Sequence, residues 1–227
     1  HFDLSRLQAM KGNNDRAGAF RAVVEGDATD AMRAAELQRM GQGDAESIAA
    51  AMQMTSGMMP TSMKGMRALM KTAGAAADDS PMAGMDLESL DKAPLVMSEE
   101  MIFAYMGGMK FCSYLVTHGK VKGMAAIDQA LKEPPTSTEQ ILHPEKYADK
   151  PDWPTKVTLP DVTKIAGEGY TLVDENTLGE LHIRTLLSEN NVKKPGKIHS
   201  GWDGDRYAVA GKSGAPDMLF WVSTWDT

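Results

Sequence analysis

The sequence predicts an α+β fold: mostly helical over its first two-thirds, with a small antiparallel sheet and a packed helix at the C-terminal end. Apolar residues recur at three-to-four spacing up to residue 133, and Pro134–Pro135 ends that pattern. Alternating apolar runs take over after residue 150. The boundaries that follow are a helical subdomain over 1–150 and a small α+β subdomain over 151–227, joined as one continuous domain. At 227 residues the chain can bury a substantial core.

The first long helix is read over 16–40, "RAGAFRAVVEGDATDAMRAAELQRM", with Phe20, Val24, Ala28, Ala31 and Ala35 along one face. Gly26 interrupts it at a cost of about 1 kcal/mol relative to alanine, which points to close approach by a neighbour. Residues 44–73, rich in Met and Ala, form one or two helices broken near Gly57–Pro60, and "AGAAADDSPMAGM" (73–85) reads as a loop. The 18 methionines read as adaptable core filling rather than a metal-binding cluster. A second strong helix starts from Ser98 as N-cap, with Glu99 and Glu100 in its first turn, and stops at Gly119. Its Gly107–Gly108 pair also invites close packing. "KGMAAIDQALKE" (122–133) gives a shorter helix. In "PPTSTEQILHPEKY" (134–147), Ser137 and Gln140 spell a capping box that places His143 just beyond a short helix. "TKVTLP" (155–160), "RYAVA" (206–210) and "MLFWVSTW" (218–225) read as strands. Between them "ENTLGELHIRTLLSE" (175–189) spaces Leu178, Leu181, Thr185 and Leu186 as a helix face that covers the sheet.

Bulk chemistry narrows the function. A net charge of −7 and a pI near 5.3 oppose nonspecific binding to nucleic acid or anionic lipid. No apolar run reaches the length of a membrane helix, and no signal-peptide pattern is read within residues 1–227. The one cysteine, Cys112, lies in "MKFCSYL", where a small buried hydrophobe is expected rather than a reactive thiol. A start at His1 without methionine, and an end on an apolar strand, suggest that the chain is cut from a longer protein at both ends.

The histidines, His1, His118, His143, His182 and His199, are far apart in sequence. There is no HExxH, CxxC pair, phosphate-cradling glycine loop or G-x-S-x-G elbow. Two stretches stand out. Glu25 in "VVEGDA" has Arg21 at i−4; it reads either as a solvated glutamate paired with that arginine or as a functional carboxylate. Asp27 points to another face of the helix. His143 and Tyr147, held near a proline, suit either a site or a structural plug. A copper site at the His1 amine and imidazole is disfavoured because the chain opens helical.

The motifs "HFDLSRL" (1–7), "RAVVEGDAT" (21–29), "PPTSTEQILHPEKY" (134–147), "ENTLGEL" (175–181), "GWDGDRYAV" (201–209) and "WVSTWDT" (221–227) occur in this order. Together they resemble a family of uncharacterised bacterial exported proteins with a zincin-like, gluzincin-type metallopeptidase domain. That resemblance implies an H-E-L-x-H helix immediately before residue 1, whose two histidines bind zinc and whose glutamate activates water for peptide-bond hydrolysis. It implies Glu25 as the third zinc ligand and at most a supporting role for Asp27. His143 and Tyr147 become candidates for stabilising the oxyanion, with Tyr105 a weaker one. It further implies an extracytoplasmic setting, a peptide or protein substrate, and an associated N-terminal segment carrying HExxH, without which this chain is expected to be inactive. The alternative is a non-catalytic assembly or binding protein that keeps a degenerate zincin scaffold.

Overall fold

A computed structural model describes residues 5–41, 43–73, 89, 92–118 and 120–226. The fold is α+β, as the periodicity predicts: the helices dominate, and three antiparallel strands lie at the C-terminal end in the order β1-β2-β3. Among the described residues no helix is long and apolar enough to cross a membrane. Of the expected 73–85 loop, Ala73 ends a helix and residues 74–85 lie outside the described residues, as does the His1 terminus. The chain forms two compact units, one of His1–Ala17, Thr136–Glu139 and Asp152–Thr227, the other of Gly18–Pro135 and Gln140–Pro151.

In the helical unit, α2 (Asn14–Arg39, counted here from Gly18) follows the short α1 (Ser5–Ala9) in the chain and precedes α3 (Ala45–Met58) and α4 (Met63–Ala73). Then come α5 (Leu95–Ile102), a π-helical turn (Phe103–Gly107), α6 (Gly108–Thr117) and α7 (Met124–Lys132). The break between α3 and α4 falls at the expected Gly57–Pro60. Asp44 caps α3, its carboxylate accepting from Ser47 N at 2.9 Å. α5 begins at Leu95, one turn before the expected Ser98 cap. Ser98 and Glu99 are buried instead, and the Glu99 carboxylate accepts from Met63 N at 2.9 Å, neutralising the open N-terminus of α4. Methionine fills the core here: Met63, Met66, Met106 and Met109 pack around Ile102.

The buried face of α2 differs from the alanine stripe. Ala28, Ala31 and Ala35 are exposed, whereas Phe20, Val23, Gly26, Thr29 and Asp30 are buried. What decides the face is close approach, because a Cβ on Gly26 would lie 2.2 Å from the carbonyl carbon of Gly108. One on Gly108 would lie 1.9 Å from the carbonyl oxygen of Ala22. Two glycines at the crossing let two helix backbones touch where the exposed alanines would have held them apart.

In the sheet-bearing unit, α10 (Val162–Ala166) follows two short helices, α8 (Thr138–Leu142) and α9 (Glu145–Ala148), in the chain. It leads to β1 (Thr171–Asn176), α11 (Gly179–Glu189), α12 (Gly196–His199), β2 (Trp202–Gly211) and β3 (Met218–Trp225). The strands expected at 206–210 and 218–225 form. Residues 155–160 do not pair as a strand, and β1, with its charged sequence "TLVDEN", takes that place beside β2. On α11, Leu181 and Thr185 of the expected row are buried, whereas Leu186 is turned out at 48 % exposure; Ile183, on the opposite side of the helix, is buried as well, so the helix is covered on two sides rather than one. Asp205 ties this unit together. Its carboxylate accepts from Leu178 N, Gly179 N, Trp202 Nε1 and Trp221 Nε1 at 2.9–3.1 Å. Four donors satisfy a buried carboxylate whose desolvation would otherwise be prohibitive. Gly179 sits at φ +77, and a Cβ there would lie 1.8 Å from Asp15 Oδ1.

The glycine contact in the helical unit is open to a direct comparison. Gly108→Ala should destabilise the protein by about 3 kcal/mol or more, since the obstructing atoms are main chain and cannot give. Gly57→Ala, with nothing within 4 Å of the added carbon, should be neutral or stabilising by up to about 1 kcal/mol. Urea denaturation of both variants checks this; equal stabilities would mean that the crossing is looser than described.

Candidate functional site

The Gly26–Gly108 crossing positions Glu25. The Glu25 residue is half-buried, and its carboxylate lies close enough to the hydroxyl of Tyr105, which stands on the π-helical turn, for its charge to act on it. That turn is defined by Gly108 N–H reaching Phe103 O, five residues back, and single π turns of this kind recur at functional sites. Burial first, then the adjacent Glu25 carboxylate, push the Tyr105 hydroxyl above its ordinary range, so it stays protonated. Arg21, the expected i−4 partner of Glu25, is exposed.

One turn further along α2 the same helix pair carries a buried polar cluster. Asp30 is 3 % exposed and accepts from Ser113 Oγ at 3.2 Å. Cys112 is fully buried with its thiol directed to the carbonyl of Val23 at 3.7 Å. Burial pushes that thiol well up, which makes it inert, as its apolar context predicts. Asp27 is raised by burial and by the nearby Asp128 charge. Burial also lifts Asp30 to about 7, against the bond from Ser113 and the charge of Arg33, with Asp27 adding to the rise.

The two other predicted site residues sit at α8–α9. His143 is half-buried with Nδ1 4.0 Å from Glu145 Oε1. The Tyr147 hydroxyl donates to the Glu133 carbonyl at 2.8 Å, and its ring stands edge-on to Phe111 at 5.4 Å. Burial and the Glu133 charge push Tyr147 up to about 12. Its donor is therefore engaged with main chain. The neighbouring Gln140 amide donates to the Lys146 carbonyl at 3.4 Å, tying α8 to α9.

Of the sequence candidates, then, the geometry joins Glu25 to Tyr105, the weaker of the tyrosines by motif. The signal that could have promoted Tyr105 was already present: glycines at 26 and at 107–108 mark where the two helices touch. Among the described residues, the one set of three metal-competent side chains within mutual reach is Glu139, Asp152 and Asp226, and Glu25 is not part of it.

A family model described as "Domain of unknown function (DUF8575)" matches residues 168–227, the stretch that contains all three strands. Neither a curated protein nor a solved structure matches the chain.

The buried Asp30 sets a pH dependence with a definite sign. Its folded-state carboxyl at about 7 lies above the unfolded value of 3.8, so it favours folding below about pH 4 and loses that contribution as pH rises towards 7. Asp30→Asn keeps an acceptor for Ser113 and cannot ionise. It should flatten the fall in stability between pH 5 and 8 and exceed the wild type at pH 8 by about 1 kcal/mol or more. Urea titrations of both proteins at the two pH values test this; parallel pH dependence would place Asp30 among ordinary, fully ionised carboxylates.

Proposed function

We propose that Glu25 is the carboxylate ligand of a zinc ion in a peptide-bond-hydrolysing site. The two histidine donors and the general base belong to an H-E-L-x-H segment ahead of residue 1, as the resemblance in motifs implies. The observation that supports this reading is the glycine crossing, which sets half-buried Glu25 against the second helix with the Tyr105 hydroxyl beside it. A half-buried carboxylate with a neutral hydroxyl beside it retains an oxygen for a cation, and neighbours of this kind orient ligand carboxylates. The residues of this chain fit the part of one ligand and its support; they do not fit a complete donor set.

When bound, zinc supplies a Lewis acid that activates water and polarises a carbonyl. This chain's own contribution is structural: α2 presents Glu25, Gly26 lets it sit against the second helix, and the Tyr105 hydroxyl flanks its carboxylate. His143 keeps its place as a candidate for steadying an oxyanion. Tyr147, whose hydroxyl is held by Glu133, suits a role in orienting α9. A peptide or protein substrate and an extracytoplasmic setting go with this reading.

A second reading, a non-catalytic binding or assembly protein on the same scaffold, draws support from the lack of any three-member donor set around Glu25 among the described residues. One experiment separates the two. Full-length protein purified without chelator should carry stoichiometric zinc by plasma mass spectrometry. Glu25→Gln should weaken zinc binding at least about a hundredfold with an unchanged circular dichroism spectrum, since loss of an outer-shell partner alone costs 10–100-fold. Zinc held at wild-type affinity by the variant would move the third ligand elsewhere. A wild-type protein free of zinc would favour the binding reading.

A further inference from the structure

The sheet-bearing unit holds a cleft of about 770 Å³ whose one wall is the segment from Trp153 to Leu159. This is the stretch whose composition predicts a strand. Its burial alternates with period two, Val157 and Leu159 half-buried and Lys156, Thr158 and Pro160 exposed. It is anchored at its start, where Thr155 N donates to the Asp203 carbonyl at 2.5 Å, and near its end, where Leu159 packs on the Val162–Ala208–Ala210 cluster. The anchor exists because β2 carries a bulge between Trp202 and Gly204, which turns the Asp203 carbonyl out of the ladder. Beyond that point, among the described residues, the N–H and C=O groups of Lys156, Val157, Thr158 and Leu159 bond no other group of the chain. A strand-forming sequence is thus held at both ends with its hydrogen-bonding edge unused.

The charges around this cleft are unequal. Arg206 is taken by Glu175 Oε1 at 2.9 Å and the Gly12 carbonyl at 2.6 Å. Asp205 is saturated by its four N–H donors, and Asp15 accepts from Thr138 N at 3.1 Å. Arg16 and Lys156, both exposed, line the cleft and form no ion pair among the described residues. In a chain of net charge −7, two uncompensated cations beside an open strand edge, with the 58 %-exposed ring of Trp153, mark a place for negative charge.

We propose that this cleft binds an acidic peptide in extended form, which adds as a strand to Lys156–Leu159 and sets its carboxylates against Arg16 and Lys156. Main-chain hydrogen bonds supply the affinity and alternate side chains the selectivity, as in other strand-addition sites. The site lies wholly in the sheet-bearing unit, and it stands or falls independently of the zinc reading.

The test uses the full chain and a capped peptide alternating Glu with Val, measured by isothermal titration calorimetry. Binding is expected below about 1 mM. The same peptide with Lys in place of Glu should bind at least about tenfold more weakly, and Lys156→Glu should erase that preference. Two N-methylated isomers, blocked at odd or at even positions, each lose one hydrogen-bonding edge. Exactly one edge can face the segment, so one isomer should lose about tenfold or more and the other should bind as the parent does. Trp153→Phe reports occupancy through the loss of the peptide-induced fluorescence change. Equal binding of both isomers and the parent would overturn strand addition. Equal binding of the Glu and Lys peptides, or no binding of the Glu peptide at 1 mM, would overturn the proposal as well.

Discussion

Everything in the helical unit that bears on function hangs on a contact between two glycines. Gly26 and Gly108 remove the Cβ atoms that keep helices 8–10 Å apart, and the two backbones meet. Once they meet, the residues on either side have no freedom: Glu25 falls against Tyr105, Val23 against Cys112, and Asp30 against Ser113. Three polar or polarisable contacts, which would individually be marginal, are imposed together by one steric constraint. The cost is a pair of glycines inside helices, roughly 1 kcal/mol each in propensity, and a buried aspartate that does not ionise comfortably.

The sheet-bearing unit solves the opposite problem. Here a buried charge is an asset because it is fully paired. Asp205 gathers two indole N–H groups and the first two amides around the start of α11, so one side chain links β2, β3 and the helix. The nearby Asp15, bonded to Thr138, is lifted to about 7 by burial. Two carboxylates in one neighbourhood are tolerated here because one collects four donors, while burial first, with the Asp205 charge a lesser cause, raises the other and disfavours its ionised form.

Much of this was legible in the residues, and the failures are instructive. The break at Gly57–Pro60, the strands ending the chain and the close approach at Gly107–Gly108 follow from turn chemistry and glycine alone. The buried face of α2 does not, because alanines look apolar in a stripe while the packing is decided by where two backbones can touch. The strand β1 escaped notice because Asp174 and Glu175 break its alternation; they are tolerated since Asp174 receives Tyr207 Oη at 2.7 Å and Glu175 pairs with Arg206. Residues 155–160 read as a paired strand for the converse reason: propensity describes the segment itself, and no property of the segment says whether a neighbour is there to bond it. Of the candidate site, Glu25 and Tyr105 could be named from sequence, but their pairing could not, since it depends on a helix that departs from α geometry.

That departure has an evolutionary corollary. A π turn holds one residue more than the α turn it replaces, so the segment Phe103–Gly107 behaves as a single-residue insertion absorbed into a continuous helix. Deleting one residue within it would restore regular winding, leave the flanking helices on nearly the same faces, and re-aim only the side chains of the turn itself. Tyr105 would leave Glu25 even if every remaining side chain were unchanged. The alignment of this site is therefore encoded in a length as well as in the identities of Tyr105 and Gly108, and relatives that share it should conserve the residue count of the turn together with those two residues.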